Sequence, residues 1–205
     1  MRNFKRALIT GISGSGGSYL AEYIIKNQTK TKVFGIYRNK TENLTQIIKK
    51  RSNLIRCDLN NFKKVFNSIK KIKPDVIFHL ASNADVKKSF DYPMEIINNN
   101  NNCTLNLLEA VRKLKINPII QICSTSEVYG IVKKKETPIK ESNPFRPASP
   151  YAVSKAFQDL IAQNYHKNYG LRIIITRMFT YLNPRRKNLF ASHWADQVSK
   201  IEMGK

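Results

Sequence analysis

The feature that most restricts the fold of this chain is a glycine-rich stretch near its start, TGISGSGG at residues 10–17. It lies between a short apolar segment, Arg6–Thr10, and a segment, Ser18–Asn27, whose apolar residues recur at helical spacing. The spacing G-x-x-G-x-x-G is formed by Gly11, Gly14 and Gly17. Glycine lets a backbone approach a diphosphate closely, and a helix N-terminus offers unpaired N–H groups to that anion. The stretch therefore predicts a strand, a tight turn and a helix that bind a dinucleotide.

Apolar, strand-like segments alternate with amphipathic helical segments along the whole chain. The predicted strands are Arg6–Thr10, Val33–Tyr37, Leu54–Arg56, Val76–Leu80, Ile119–Cys123 and Arg172–Arg177. The predicted helices are Ser18–Asn27, Phe62–Ile72, Met94–Leu114, Pro150–Tyr169 and Phe190–Met203. Because this alternation favours a parallel sheet with right-handed crossovers, we expect an α/β, doubly wound Rossmann sheet of about six strands. One domain is expected over residues 1–205.

The excess of positive charge does not by itself indicate a nucleic-acid partner. The chain has 36 Lys and Arg against 14 Asp and Glu, and its basic residues are scattered, with local clusters at Lys49–Arg51, Lys70–Lys73 and Lys133–Lys135. No aromatic residues alternate with these clusters as in a base-stacking platform. We therefore expect a solvated basic surface that attracts anionic nucleotides, and no nucleic acid as partner.

Other features of the composition favour a cytoplasmic location. No apolar run is long enough to span a membrane, and the first residues lack the pattern of a signal peptide, so no membrane partner is expected. Three cysteines, Cys57, Cys103 and Cys123, are far apart and lack metal-ligand spacing. They are predicted to be reduced, buried thiols, and no metal site is expected.

A candidate catalytic group follows the fifth predicted strand. Tyr151 and Lys155 form Y-x-x-x-K, which places both on one helix face, and Ser124–Glu127 come directly after the strand, at the sheet edge where ligands bind. A neighbouring ammonium is expected to lower the pKa of the tyrosine, since it favours the phenolate. Such a tyrosine, helped by a Ser or Thr hydroxyl, can remove a proton from a carbinol while hydride leaves for a nicotinamide.

These motifs resemble the extended short-chain dehydrogenase/reductases of the NAD-dependent epimerase/dehydratase family. Within that family the resemblance is strongest to the dehydratases that act on GDP-mannose. The matching stretches are Thr10–Gly14, Gly17–Glu22, Val86–Phe90, Thr104–Ala110, Ser124–Gly130, Ser149–Tyr151 and Pro184–Arg186. They cover essentially the whole chain.

The resemblance implies a nucleotide-sugar substrate, most closely GDP-mannose, and a site that oxidises C4 of the sugar transiently. Tyr151 would take the proton of the C4 hydroxyl, Lys155 would hold the ribose of the cofactor, and Thr125 would orient the C4 oxygen. Glu127 would remove the C5 proton so that water leaves from C6. Cofactor contacts are expected at Gly11, Gly14, Gly17, Arg38, Asp58, Leu59, Ala81, Tyr151 and Lys155.

The end of the second strand bears on the choice between NAD and NADP. An acid there would hold the ribose 2′-hydroxyl of NAD, but the chain has Ile36-Tyr37-Arg38-Asn39-Lys40. We therefore predict NADP, with the guanidinium of Arg38 on the 2′-phosphate. Asp58 and Leu59 would meet the edge of the adenine ring. A solvent-facing Arg38 and an ordinary turn at Asp58 are the alternatives.

The sequence departs from the dehydratase pattern at several positions. An acid common near the third loop glycine is absent at Gly16, an asparagine that touches substrate is replaced by Thr180, and the following glutamate is replaced by Leu182. The other departures are Cys103 in place of a glycine and a small insertion around Lys133–Lys135. One asparagine of the run Asn98–Asn102 could serve the backbone near the site.

The resemblance also leaves alternatives open. The small C-terminal substrate-binding domain of the family is expected to be absent from the chain, which ends in a predicted helix at Lys205. A sugar-nucleotide reductase, epimerase or decarboxylase of the same family is one alternative function. A non-catalytic nucleotide-binding module is another. A homo-oligomer, either a dimer or a tetramer, is expected.

Overall fold

The computed structural model describes residues 4–181, 183–186 and 190–204, without the side chains of residues 190 and 191. It contains a six-stranded, fully parallel sheet in the order β3-β2-β1-β4-β5-β6. The strands are β1 Arg6–Thr10, β2 Lys32–Tyr37, β3 Ser52–Arg56, β4 Val76–His79, β5 Ile119–Thr125 and β6 Arg172–Met178. The doubly wound Rossmann sheet expected from the sequence is thereby confirmed.

Helices cover both faces of the sheet. They are α1 Ser15–Asn27, α2 Gln46–Arg51, α3 Phe62–Ile72, α4 Val86–Asp91, α5 Pro93–Lys113, α6 Pro150–Tyr169 and α7 Phe190–Glu202. Two single turns of 3₁₀ helix follow β5, at Ser126–Tyr129 and Lys134–Glu136. The predicted bounds of α3 and α6 are confirmed. Both helices have clear end signals, with Asn61 and Ser149 as N-caps and Gly170 as the left-handed C-cap of α6.

Three helices, α1, α2 and α4, differ from the prediction by more than a residue at either end. α1 begins at Ser15 and not at Ser18, because Gly14 is the N-cap and two glycines of the loop lie within the first turn. Glycine is a poor helix former, so propensity alone placed the start too late. Neither α2 nor α4 was predicted, because six residues are too few to show a helical period. α4 is held at its start by the Asp85 carboxylate, which accepts a hydrogen bond from the Lys88 amide at 2.9 Å.

The core consists of two layers, one on each face of the sheet. On β1, Leu8 faces the layer beneath α3, α5 and α6, whereas the next residue, Ile9, faces the layer beneath α1 and α2. Both side chains are fully buried. A strand covered on both faces must be apolar on both, which explains the continuous apolar run at the start of the sequence.

The direction of the sheet's winding changes between β1 and β4, which are neighbours although two strands separate them in the sequence. Ligands of open α/β sheets bind in the crevice at such a point, beyond the carboxyl ends of the strands. Here the crevice lies above Thr10, which ends β1, and His79, which ends β4 and is its direct neighbour in the register. The glycine-rich stretch begins at this point.

Gly11 provides a test of how tightly the two strands meet. Its φ is +69°, and a Cβ built on it would lie 2.9 Å from the backbone of Ala81. Gly11→Ala therefore adds a steric clash to the strain of a left-handed backbone, and we expect it to lower the free energy of unfolding by about 2–4 kcal/mol in urea titrations. Gly170→Ala is the matched control, since Gly170 has a φ of +68° and open space around it. Equal losses in the two variants would contradict the close approach.

Candidate active site

The glycine loop closes on itself and on the strand beside it. The Gly14 amide donates to the Gly11 carbonyl at 2.9 Å, and the Gly11 amide donates to the Ile36 carbonyl of β2 at 2.9 Å. A Cβ on Gly17 would press on the Gly11 carbonyl and on Ile12. Two of the three motif glycines are thus required by the fold of the loop itself, Gly11 by its φ and Gly17 by its packing.

The N-terminus of α1 faces this loop without a side-chain cap. Among the described residues, none accepts a hydrogen bond through its side chain from the amides of the first turn, and that turn contains no acid. An uncapped helix N-terminus with its partial positive charge is suited to an anion such as a diphosphate. The loop and the helix together therefore fit a dinucleotide, as the sequence predicts.

Polar side chains gather where β2 and β3 end. Asn99 of α5 accepts hydrogen bonds through its Oδ1 from Arg38 Nη1 at 3.1 Å and from Asn60 at 3.2 Å. Asn60 in turn donates twice to the Asp58 carboxylate, at 3.0 Å each. Arg38 and Asp58 therefore lie at one edge of the crevice, linked by Asn99 and Asn60. Their contacts with a cofactor stay predictions.

A second arginine at this edge was not recognised from the sequence. Arg56, the last residue of β3, donates to the Arg38 carbonyl at 3.1 Å and to the Asn39 side chain at 3.2 Å. Parallel pairing of β2 with β3 is what brings it there. The sequence shows Arg56 at the end of a predicted strand, two residues before Asp58. Its position beside Arg38 follows only once the pairing of β2 with β3 is known.

Leu59 and Ala81 occupy less exposed positions at the same edge. The Leu59 side chain is buried in the core, and its carbonyl accepts from Asn106 of α5 at 2.7 Å. The Ala81 amide donates to the Thr10 hydroxyl at 3.3 Å, directly beside Gly11. At Leu59, therefore, a ligand could contact the backbone but not the buried side chain.

Three of the four predicted catalytic residues come together at the carboxyl end of β5 and the start of α6, and the fourth, Lys155, lies one turn further along α6. Tyr151, Lys155 and Thr125 are almost fully buried, and Thr125 caps the 3₁₀ turn that carries Glu127 by accepting from its amide at 3.3 Å. The hydroxyl of Tyr151 is within hydrogen-bonding reach of Thr125 and within electrostatic reach of Glu127. The structure thus brings a phenol, a hydroxyl and a carboxylate into one group.

The pKa of Tyr151 differs from the expectation. Burial raises it well above its ordinary value. Among its neighbours, Cys123 and Glu127 raise the pKa further, whereas Thr125 and Arg186 lower it. Burial therefore outweighs the depression that the sequence predicts from a neighbouring ammonium.

The pKa of Glu127 is raised above the ordinary value of a carboxyl group. Burial raises its pKa, while the charge of Arg186 and a hydrogen bond from Ser149 lower it to a smaller extent. Arg186 lies close because its guanidinium donates to the Ala84 carbonyl at 2.8 Å. A carboxyl whose pKa is raised is a better proton acceptor than one with an ordinary pKa, which is the property that an elimination step needs.

Comparison with known proteins decides which family this group of residues belongs to. The family described as GDP-mannose 4,6 dehydratase matches residues 8–205. The chain is 36% identical to a GDP-mannose 4,6-dehydratase of Yersinia enterocolitica over 213 residues, which are 98% of this chain and 56% of that protein.

The chain belongs to the GDP-mannose 4,6-dehydratase family. It spans about half the length of the curated relatives it matches, 53% for a Vibrio cholerae protein and 56% for the Yersinia one. Solved structures give the same fold. A UDP-N-acetylglucosamine 4-epimerase of Methanobrevibacter ruminantium superposes with a TM-score of 0.85 at 31% identity, over 100% of this chain and 64% of that one. The dTDP-glucose 4,6-dehydratase DesIV of Streptomyces venezuelae, bound to NAD and TYD, superposes with a TM-score of 0.79 at 27% identity, over 94% of this chain and 62% of that one.

Several departures from the pattern of the family's dehydratases can be placed. Gly16 lies under Tyr181, whose hydroxyl would be 3.3 Å from a Cβ at that position, and Thr180 is exposed. The insertion around Lys133–Lys135 lies at the 3₁₀ turn Lys134–Glu136, whose last residue pairs with Arg146 at 2.7 Å. Leu182 lies outside the described residues.

The cysteines agree in part with the expectation. All three are free thiols; Cys57 and Cys103 are buried, but Cys123 at the end of β5 is only half-buried. Burial raises the pKa of Cys103 to about 12, which leaves it unreactive. Among the described residues there is no cluster of His, Cys, Asp and Glu that could hold a metal ion, and none of their helices is long and apolar enough to cross a membrane.

One asparagine of the predicted run does serve the backbone near the site. Asn100 of α5 accepts from the Asn83 amide at 2.7 Å, donates to the Asn83 carbonyl at 3.0 Å, and donates to Ser154 of α6 at 2.9 Å. It is fully buried. It therefore fixes the loop after β4 against the helix that carries Tyr151 and Lys155.

The segment after β6 is fastened to the first helix of the sheet. The Arg185 guanidinium donates to the Glu22 carboxylate at 2.8 and 2.9 Å and to the Ser18 hydroxyl at 2.9 Å, and it stacks on the Tyr19 ring at 3.9 Å. These contacts hold the neighbouring Arg186 where its charge acts on Tyr151 and Glu127. Sequence similarity pointed to the arginine pair but not to its partners.

The buried Lys155 predicts a pH-dependent effect on stability. Burial lowers the pKa of Lys155 from 10.5 to about 8, so the folded chain loses a proton from it that the unfolded chain keeps until pH 10.5. Below pH 8 both states are charged and the burial cost is present in full, and it is relieved as pH rises from about 8 to 10.5. We expect Lys155→Met to increase the free energy of unfolding at pH 7 and this gain to shrink across that window.

Urea titrations at several pH values, with Lys167→Met as the control, measure this effect. Lys167 lies on the same helix but is exposed. Its variant should show a difference from the unmodified chain that does not depend on pH. A Lys155→Met gain that is the same at pH 7 and pH 10 would disprove the argument.

Proposed function

We propose that this chain is the cofactor-binding and catalytic part of an NADP-dependent nucleotide-sugar 4,6-dehydratase that converts GDP-mannose to GDP-4-keto-6-deoxymannose. The observation that carries the proposal is the grouping of Tyr151, Thr125 and Glu127 beside the crevice above the glycine loop. The relatives of similar sequence are named GDP-mannose 4,6-dehydratase, which supports the substrate. DesIV, with its bound NAD, supports a nicotinamide cofactor.

The cofactor would be held by groups spread along the carboxyl ends of the strands. The glycine loop and the N-terminus of α1 suit its diphosphate, Arg38 and Asp58 lie where its adenosine half would bind, and Lys155 is assigned to its ribose beside the nicotinamide. When bound, the nicotinamide ring supplies the redox chemistry by taking up a hydride from the sugar and returning it.

The residues of this chain would handle the protons. Tyr151 accepts the proton of the C4 hydroxyl, and Thr125 hydrogen-bonds the C4 oxygen. Once C4 is a ketone, the C5 proton is acidic, and Glu127 removes it and protonates the C6 hydroxyl, which leaves as water. The raised pKa of Tyr151 means that its work as a base depends on positive charge beside the ring, and Lys155 is assigned to supply it.

Glu127→Gln tests the assignment of the elimination step. A second base is what a dehydratase needs and a simple reductase does not, so we expect formation of the 4-keto-6-deoxy sugar to fall by about 10²–10⁴-fold. The measurement is mass spectrometry of the purified chain with GDP-mannose, in which dehydration appears as the loss of one water. Glu141→Gln is the matched control, since Glu141 is exposed at the far end of the following loop. A Glu127→Gln rate within about tenfold of the unmodified chain would refute the role.

A second candidate function is epimerisation at C4, and one specific observation favours it. The Methanobrevibacter protein that superposes with a TM-score of 0.85 is a 4-epimerase. The same incubation distinguishes the two, because an epimerised sugar keeps its mass. Binding of cofactor with no product from any nucleotide sugar would instead indicate a non-catalytic module.

The preference for NADP over NAD rests on the edge formed by β2 and β3. No carboxylate ends β2, and Arg38 and Arg56 place two guanidinium groups there. A charge-assisted hydrogen bond to a 2′-phosphate contributes about 1.5–3 kcal/mol, so either Arg38→Ala or Arg56→Ala should weaken NADP binding about tenfold or more and leave NAD binding unchanged. Calorimetric titration measures both affinities. Arg51→Ala, on α2, is the control, and equal affinities of the unmodified chain for NAD and NADP would contradict the prediction.

The cytoplasmic location and the homo-oligomer, dimer or tetramer, stay predictions. They fit an enzyme that works on soluble nucleotide sugars, and the family assignment is consistent with both. The absence of nucleic acid as a partner also stays a prediction.

A further inference from the structure

A continuous chain of buried hydrogen bonds runs beneath the crevice from Lys155 to β1. Lys155 Nζ donates to Gln158 Oε1 at 2.7 Å, and Gln158 Nε2 donates to the Thr104 hydroxyl. A hydrogen bond of 2.9 Å joins Thr104 to His79 Nε2, and one of 2.8 Å joins His79 Nδ1 to the Thr10 hydroxyl. Every member is at most 3% exposed. The chain connects α6, α5, β4 and β1 in the interior, where an unsatisfied polar group is costly.

The Gln158 amide has a single orientation that satisfies its neighbours. Its nitrogen donates to the Asn100 carbonyl at 2.9 Å as well as to Thr104. A flipped amide would place its oxygen against the Asn100 carbonyl and its nitrogen against the Lys155 ammonium, which sets like charges together at both ends. The side-chain oxygen of Gln158 is therefore fixed toward Lys155 by contacts that come from α5.

Lys155 depends on this oxygen because its surroundings are otherwise poor in acceptors. The side chain is 3% exposed, and Gln158 is its hydrogen-bond partner among the described residues. Burial disfavours the ammonium, and a fixed carbonyl dipole beside it favours the charged form. Loss of the oxygen would leave a buried charge without a partner, a situation that proteins avoid by neutralising or moving the group.

We infer that Gln158 is a positioning residue, which holds the Lys155 ammonium in the charged form and in the place from which Lys155 serves the cofactor ribose and the Tyr151 phenol. The inference rests on the proposed function, which assigns Lys155 to those two groups. The chain through Thr104 and His79 ends at Thr10, whose hydroxyl also accepts from the Ala81 amide at 3.3 Å. Gln158 thus joins the catalytic lysine to the loop that would bind the diphosphate.

The titratable groups around Lys155 come from two strands. Cys123 of β5 acts on the lysine through its charge when ionised, but burial raises the pKa of that thiol. His79 of β4 has its pKa lowered to about 3 by burial and by the charge of Lys155, so it stays neutral in the chain. Neither group changes its charge in the neutral range, and titration of Lys155 there reports its contact with Gln158.

Two variants of Gln158 move this titration in opposite directions. Gln158→Met removes the acceptor at similar volume, and we expect the pKa of Lys155 to fall. Gln158→Glu places a carboxylate beside the ammonium, and we expect the pKa to rise. The measurement is ¹³Cε NMR titration of the ligand-free chain with labelled lysine, in which Lys155→Met identifies the signal. NADP binding at neutral pH, measured by calorimetry, should weaken about tenfold in Gln158→Met and be regained at least in part in Gln158→Glu.

A merely structural role predicts a different pattern. Both variants would then lose stability, and the pKa of Lys155 would stay where it is in the unmodified chain. Gln163→Met is the matched control, because Gln163 is exposed on the same helix and contacts Asp159 in place of Lys155. It should leave the Lys155 titration unchanged.

The outcomes separate this inference from the proposed function. An unchanged pKa of Lys155 in a folded Gln158 variant overturns the inference. If Gln158→Met does not fold, the test is made with Gln158→Glu, which differs least from glutamine in shape. Shifts in opposite directions support it, because they are measured without cofactor or substrate. A chain that shows those shifts but neither binds a nicotinamide cofactor nor dehydrates GDP-mannose would contradict the proposed function alone.

Discussion

The hydrogen bond between Thr10 and His79 joins β1 and β4 at the point where the winding of the sheet changes direction. Directly after Thr10 the chain turns at position 11. Only glycine fits there, because a side chain would clash with the backbone of Ala81. On its other side, the His79 ring is hydrogen-bonded to the Thr104 hydroxyl of α5. The crevice, the glycine loop and the helix that bears Lys155 are therefore joined by one buried series of hydrogen bonds, and a substitution that breaks this series disturbs all three.

Sequence reasoning predicted the parts of the fold that depend on local pattern. The alternation of apolar segments gave the six strands, and the glycine spacing with Y-x-x-x-K located the two ends of the site at Gly11 and Tyr151. It did not predict the partners of polar residues inside apolar segments. His79 is a polar residue in an otherwise apolar strand. Its hydrogen-bond partners, Thr10 and Thr104, lie 69 and 25 residues away in the chain. No period or propensity encodes such pairs, because they exist only once the sheet order is known.

The electrostatics of the site were the hardest part to predict. The rule that a lysine four residues after a tyrosine lowers its pKa considers one charge, whereas burial and Glu127 act on Tyr151 in the opposite direction. The chain has 36 basic residues against 14 acidic ones, yet the cation that acts on both Tyr151 and Glu127 is Arg186, from the segment after β6. Which of many cations matters is decided by tertiary contact, and overall charge gives no indication of it.

Arg185 makes the order of synthesis matter. Its guanidinium meets Glu22 and Ser18, which precede it by 163 and 167 residues. On a ribosome, which adds residues at about 5–20 per second, the first βα unit waits roughly 10–30 seconds before this partner is made. During that interval Glu22 lacks its guanidinium partner, and the segment that brings Arg186 close to Glu127 has not yet been made. A nascent chain can thus form the glycine loop early, whereas the charges around Tyr151 and Glu127 are complete only near the end of this region.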